Sequence, residues 1–97
     1  MFMRMTWAKL RPGVFEQHEV KYRELGRAVP GQRARWLARD TKETDAIYAV
    51  SLWDSMDAIH DWERSEHYLK VFLPAMKPDM EGEFTVSICE VRHVEGL

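Results

Sequence analysis

Cysteine is nearly absent. Cys89 stands alone among 97 residues, so no disulfide can form within the chain, and the cytoplasm suits it better than an oxidising compartment. A long apolar run is also missing. In MFMRMTWAKLRPG, Arg4 and Lys9 interrupt the apolar residues and no small-residue cleavage site follows, so neither a signal peptide nor a membrane span is expected. Positive charge is not in excess: 14 Lys and Arg against 16 Asp and Glu leave a formal charge of −2. That argues against nucleic acid and against a polybasic membrane contact. There is no HExxH and no cysteine cluster, and His60 and His67 stand about two helical turns apart, too far to share an ion with Asp61. No metal site is expected. Neither a glycine-rich phosphate loop nor a nucleophile-elbow motif occurs.

What remains is a globular chain. Apolar residues make up 45%, with four Trp, three Tyr and four Phe, which excludes a disordered polymer. Residues 1–97 suffice for one domain and one core, since domains usually need about 100 residues or more each.

The pattern along the chain predicts the elements. MFMRMTWAKL reads as a strand over residues 2–10, ended by Pro12-Gly13. A helix follows from Val14 to Ala28, with Phe15, His18, Tyr22, Leu25 and Val29 as its stripe, stopped by Pro30-Gly31. RARWLARD (33–40) and AIYAVSLW (46–53) are strands joined by TKETD, a loop short enough to favour antiparallel pairing. Asp54 or Ser55 caps a second helix carrying Ala58, Ile59 and Trp62. Ser65 caps a short further helix with Leu69, Phe72 and Leu73. PAMKPDMEGE is read as loop, and residues 84–94 as the last strand. The order β-α-β-β-α-β predicts an α+β fold: a ferredoxin-like split βαβ with a four-stranded antiparallel sheet and helices on one face.

The other sheet face ought to be polar if it met water. It is not. Strand one sets Met3, Met5 and Trp7 against Phe2, Ala8 and Leu10; strand three sets Tyr48, Val50 and Leu52 against Ile47, Ala49 and Trp53. A patch of that kind is larger than monomers usually expose, and a handful of large side chains at roughly 1.5–3 kcal/mol each can drive association. A homodimer with sheets face to face and a shared cavity is therefore expected.

At this point AVSLWDSMDAIHDWERSEHYLKVF, with the element order, resembles the antibiotic biosynthesis monooxygenase (ABM) domain family of the dimeric α+β barrel superfamily. The carriers are the strand ending in Trp53, the cap Asp54-Ser55, Ala58, Trp62 and Ser65-Glu66-His67. The resemblance implies a dimeric α+β barrel and a monooxygenase or oxidase of small aromatic molecules (phenols, hydroquinones or quinone-like rings), acting without metal or flavin. Haem-degrading relatives imply an alternative with haem as cofactor. Trp62 fits them, but Phe72 stands where they carry a ligating His, and Thr6 where they carry an Asn, so haem is disfavoured. Cofactor-free oxygenases pair a Trp on this helix with a Tyr six residues on, which Trp62 and Tyr68 match. A third alternative is a non-catalytic small-molecule-binding or accessory dimer.

On that reading Trp62 and Tyr68 shape the pocket, and His67 is the candidate base. Thr6, Trp53 and Arg35 are candidates for substrate contact, Arg35 as the group that steadies an anion. Each has a plain structural alternative. Trp62 continues the Ala58/Ile59 stripe and suits a core; Tyr68 suits an interface rim; His67 suits a surface turn; His18, on an apolar stripe, suits a satisfied, partly buried histidine. If Ala34, Trp36 and Ala38 lie under the helices, Arg35 and Arg39 point into the barrel, and Arg4 does likewise.

Overall fold

A computed structural model describes residues 1–26 and 29–96. Its order is β1 (Phe2–Lys9), α1 (Phe15–Leu25), β2 (Gln32–Arg39), β3 (Ala46–Trp53), α2 (Met56–Glu63), a π-helical turn (His67–Phe72), α3 (Leu73–Met76), a 3-10 turn (Lys77–Asp79) and β4 (Thr85–Glu90). The sheet runs β2-β3-β1-β4, with every neighbouring pair antiparallel. This is the ferredoxin-like α+β arrangement that the element order predicts.

Local chemistry sets the ends. Ser55, not Asp54, caps α2: its Oγ accepts from the Ala58 N–H at 3.1 Å. Asp54 instead pairs with Arg33. The Asp54 N–H donates to the Gly31 carbonyl at 2.8 Å, so the start of β2 is tied to the turn into α2. Gly31 must stay glycine there: its φ is +84, and a Cβ would lie 2.6 Å from that of Ala58. Ser65 Oγ accepts from the Tyr68 N–H at 3.2 Å and donates to the Trp62 carbonyl at 2.7 Å, which joins α2 to the next helical turn.

Two expectations need correction. PAMKPDMEGE is not all loop: the chain stays helical through Asp79. Pro74 and Pro78 sit in the first turns of α3 and the 3-10 turn, where a missing N–H costs nothing, so they punctuate helices without ending them. The last strand closes at Glu90, not residue 94. Helix α1 ends at Leu25; its expected final residues, Arg27 and Ala28, lie outside the described residues.

The register settles which faces meet the helices. Arg35, Ser51, Arg4 and Ile88 form one row across the sheet. Arg4 reaches Tyr68 and Glu63 on the helical layer, so this row faces the helices, together with Thr6, Ala8, Ile47, Ala49 and Leu37. The conditional placement of β2 is therefore reversed: Ala34, Trp36 and Ala38 lie on the side away from the helices, and Arg35 and Arg39 lie beneath them. The arginines are accommodated because α1 offers rings. The Arg35 guanidinium sits 4.4 Å from the Tyr22 centroid and that of Arg39 4.1 Å from Phe15. Ala8, Leu10 and Ile47 form the buried core, with Val14, Phe15, Leu37, Met80 and Phe84 packed on it. Trp53 and Ile59 are fully buried. Opposite lie Met3, Met5, Trp7, Tyr48 and Leu52, all half-buried, with Trp36 44% exposed. Among the described residues, no helix is long and apolar enough to cross a membrane.

Candidate functional site

A cavity of about 70 Å³ lies between the sheet and the helices of one chain. By the same measure one water needs roughly 10–15 Å³ and a cavity that takes benzene is about 150 Å³, so the space holds several waters, and a single aromatic ring only as its walls open around it. Its apolar walls are Trp62, Phe72, Tyr22, Leu73 and Met76; Arg4, Thr6, Tyr68, Arg35 and His18 supply its polar groups. The expected chamber between or beside two paired sheets involves a second subunit; this cavity lies within one chain, on the helix side of its sheet.

The wall is an aromatic cluster. The Trp62 ring centroid lies 5.2 Å from that of Tyr68 and 5.9 Å from that of Phe72, and Tyr68 and Phe72 stack at 6.2 Å. The π turn positions the last two. The Leu73 N–H reaches the Tyr68 carbonyl, five residues back, which widens the helix where Tyr68 and Phe72 face the sheet. Such turns are frequent at functional sites.

The floor is built on Arg4. Its Nη2 donates to Tyr68 Oη at 3.1 Å, its Nη1 to Thr6 Oγ1 at 3.1 Å and its Nε to Glu63 Oε2 at 3.0 Å. Arg4 is only 8% exposed, and a buried guanidinium has to be paired in this way. Nearby, Tyr22 has its phenol pKa raised by burial, against the lowering effect of the Arg35 charge and hydrogen bond. The Tyr22 ring is therefore a neutral donor. Arg35 Nη1 also donates to the Tyr22 carbonyl at 3.1 Å.

A second polar group closes the far end of the helical layer. His18 Nδ1 meets Asp79 Oδ2 at 2.8 Å, and Lys21 Nζ donates to both Asp79 oxygens at 3.0 Å. His18 and Asp79 are each 2% exposed. Burial pushes the Asp79 carboxyl up, but hydrogen bonds from His18 and Lys21 and their charges outweigh it, and its pKa lies below the ordinary value. Asp79 is an anion at neutral pH.

Trp62, Tyr68, Arg35 and Thr6 line the cavity; the other two expected residues do not. His67 gives its Nε2–H to the Leu25 carbonyl at 2.6 Å and packs against Trp62 at 5.9 Å, so it clamps α1 to the π turn. Trp53 is buried beneath the helices and donates to Ser51 Oγ at 2.7 Å. Two lining groups, Arg4 and His18, and Asp79 behind His18 escaped the sequence reading of the site. Arg4 and His18 were legible as a strand arginine and a stripe histidine, but their partners lie 64 and 61 residues away. Asp79 sits in a stretch read as loop. Among the described residues, no three His, Cys, Asp or Glu side chains come together to hold a metal ion.

An antiparallel ferredoxin-like sheet with a ring-lined cavity under its helices defines a class of small α+β proteins. Within it, residues 1–72 match the family model described as antibiotic biosynthesis monooxygenase, and the chain belongs to that family. No match was found among curated proteins. Solved structures share the fold. An antibiotic biosynthesis monooxygenase superposes with a TM-score of 0.81 at 20% identity, over 96% of this chain and 100% of that one. A Caulobacter crescentus CB15 protein, a candidate member of the same group, gives 0.84 at 21%, over 95% and 90%. One from Nitrosomonas europaea gives 0.85 at 11%, over 98% and 93%.

Proposed function

We propose that the chain binds a small hydroxyarene in this cavity and oxidises it with dioxygen, without metal or flavin. The observation that carries this is a buried cation, Arg4, held beside the Tyr68 hydroxyl in the floor of an otherwise apolar, aromatic-walled space. An electron-rich ring can stack on Trp62, and its oxygen can meet Tyr68 and Arg4 as it becomes an anion; in a dry site such donors act strongly. Loss of the proton makes the ring able to give an electron to O2. The reaction balances without an outside reductant for a single-ring hydroquinone, which gives two electrons and two protons to dioxygen, leaving quinone and hydrogen peroxide.

The experiment is oxygen uptake with a panel of single-ring hydroquinones. Uptake that falls in Trp62→Ala and Tyr68→Phe supports the reading; full rates in both remove these residues from the mechanism, and no uptake with any member removes the oxidation. Haem is set aside on two supports: Phe72 offers no ligating atom at the place the resemblance assigns, and a cavity of about 70 Å³ is far smaller than a porphyrin. The reading of a binding or accessory dimer without catalysis turns on whether the cavity admits a ring; binding of panel members without oxygen uptake, or no binding of any, would favour it.

We also infer a homodimer through the helix-free sheet face. Met3, Met5, Trp7, Tyr48, Leu52 and Trp36 support it, as apolar side chains on one side of three strands. A stable, folded single subunit at micromolar concentration in sedimentation would dismiss it.

A further inference from the structure

We propose that His18 is the proton acceptor of the cavity, in place of His67. The inference rests on the reading that a hydroxyarene is bound there, and adds which atom takes its proton.

The geometry sets the tautomer. Asp79 is an acceptor that also receives Lys21, so the His18–Asp79 contact of 2.8 Å puts a hydrogen on Nδ1. The lone pair of the neutral ring is then on Nε2. No partner for Nε2 occurs among the described residues, yet none of their buried side-chain nitrogens or oxygens lacks one. Nε2 therefore reaches open space, and the space His18 borders is the cavity. Asp79 in turn steadies the imidazolium that forms, and Lys21 keeps Asp79 ionised and in place.

The other lining groups cannot do this work. Arg4 and Arg35 are cations. Tyr22 and Tyr68 are phenols, Thr6 and Ser51 are alcohols and Gln32 is an amide; none is a base near neutrality. Glu63 is the nearest carboxylate to the floor, but it accepts from Arg4 Nε and does not line the cavity. The charged groups at His18 are Asp79 from the 3-10 turn and, through Asp79, Lys21 from its own helix, while Arg4 and Arg35 line the same cavity from the strands. The step is simple. The substrate O–H bond breaks, its proton bonds to Nε2, and the electron pair stays on oxygen as a phenolate in the cavity that Arg4 and Tyr68 also line. Dioxygen then takes the electrons.

The test uses 3-nitrophenol, whose phenolate is yellow and whose neutral form is nearly colourless. It is run at about pH 7.5, where the free probe is mostly neutral. Bound to the wild-type chain, the probe shows its phenolate band; bound to His18→Gln, it stays neutral. An equal band in His18→Gln, a neutral probe on the wild type, or no saturable binding to the wild type overturns the proposal. Should His18→Gln not fold, nitrogen-15 spectra of the wild-type imidazole decide. Nε2 should change from a bare to a protonated nitrogen when the probe binds, and no change overturns it. For a substrate that is consumed, kcat/KM in His18→Gln falls about 10²–10⁴-fold. A His18-dependent band without oxygen uptake leaves the proton acceptor standing and removes the oxidation. Uptake at equal rates in both proteins, with no band, does the reverse.

Discussion

Replacing Tyr68 by Phe takes away one oxygen atom, and the structure says what that atom holds. Tyr68 Oη accepts from Arg4 Nη2 at 3.1 Å, and Arg4 is 8% exposed. The guanidinium keeps Thr6 and Glu63 but loses its third partner in a largely buried place. A hydrogen bond to a charged group contributes about 1.5–3 kcal/mol, so Tyr68→Phe should cost that much. Arg4→Met leaves the phenol without its donor but lets Glu63, 28% exposed at its side chain, rehydrate; about 1–3 kcal/mol is expected. The double variant should cost less than the sum by about 1.5–3 kcal/mol, because replacing both partners by apolar groups leaves nothing unpaired. Urea unfolding followed by tryptophan fluorescence at fixed protein concentration measures all four proteins. In a domain of this size each kcal/mol also moves Tm by about 4–8 °C. Additivity within about 0.5 kcal/mol would refute the argument: Arg4 and Tyr68 would then be neighbours that do not depend on each other.

Asp79 makes stability depend on acid. Its folded pKa lies below its unfolded one, so its contribution is complete above the usual carboxylate range near about 4 and is lost as pH falls through the folded value. Asp79→Asn should erase that acid limb in unfolding curves taken across pH, and an unchanged limb would show that other carboxylates carry it. Gly31→Ala should destabilise by at least about 1–2 kcal/mol for the left-handed backbone alone, with a contact to Ala58 added; a neutral result in thermal unfolding would mean the turn re-forms with negative φ. Ser55→Ala should cost about 1 kcal/mol through the lost cap, and Asp54→Ala much less, since its pair with Arg33 is exposed; the reverse order in urea would reassign the cap. At Gly26, a Cβ would lie 2.1 Å from the Arg35 guanidinium, so Gly26→Ala should move Arg35 off Tyr22, alter nitrophenol affinity and leave the fold intact by circular dichroism.

Periodicity by itself determined the element order and the antiparallel β2–β3 hairpin, because alternation of two and spacing of three or four are local facts. It also placed Trp62 and Tyr68 on two consecutive helical segments and His18 on an inward stripe. Tertiary structure decided the rest. A strand with arginines on one side and Ala34, Trp36 and Ala38 on the other looks as if its small residues should face the helices. Only the placement of Tyr22 and Phe15 above Arg35 and Arg39 makes the charged side the inner one. Arg4 with Tyr68, and His18 with Asp79, meet across more than sixty residues of chain. No local pattern records such pairs, because what joins them is the close approach of one strand or helix to a turn that forms much later in the sequence.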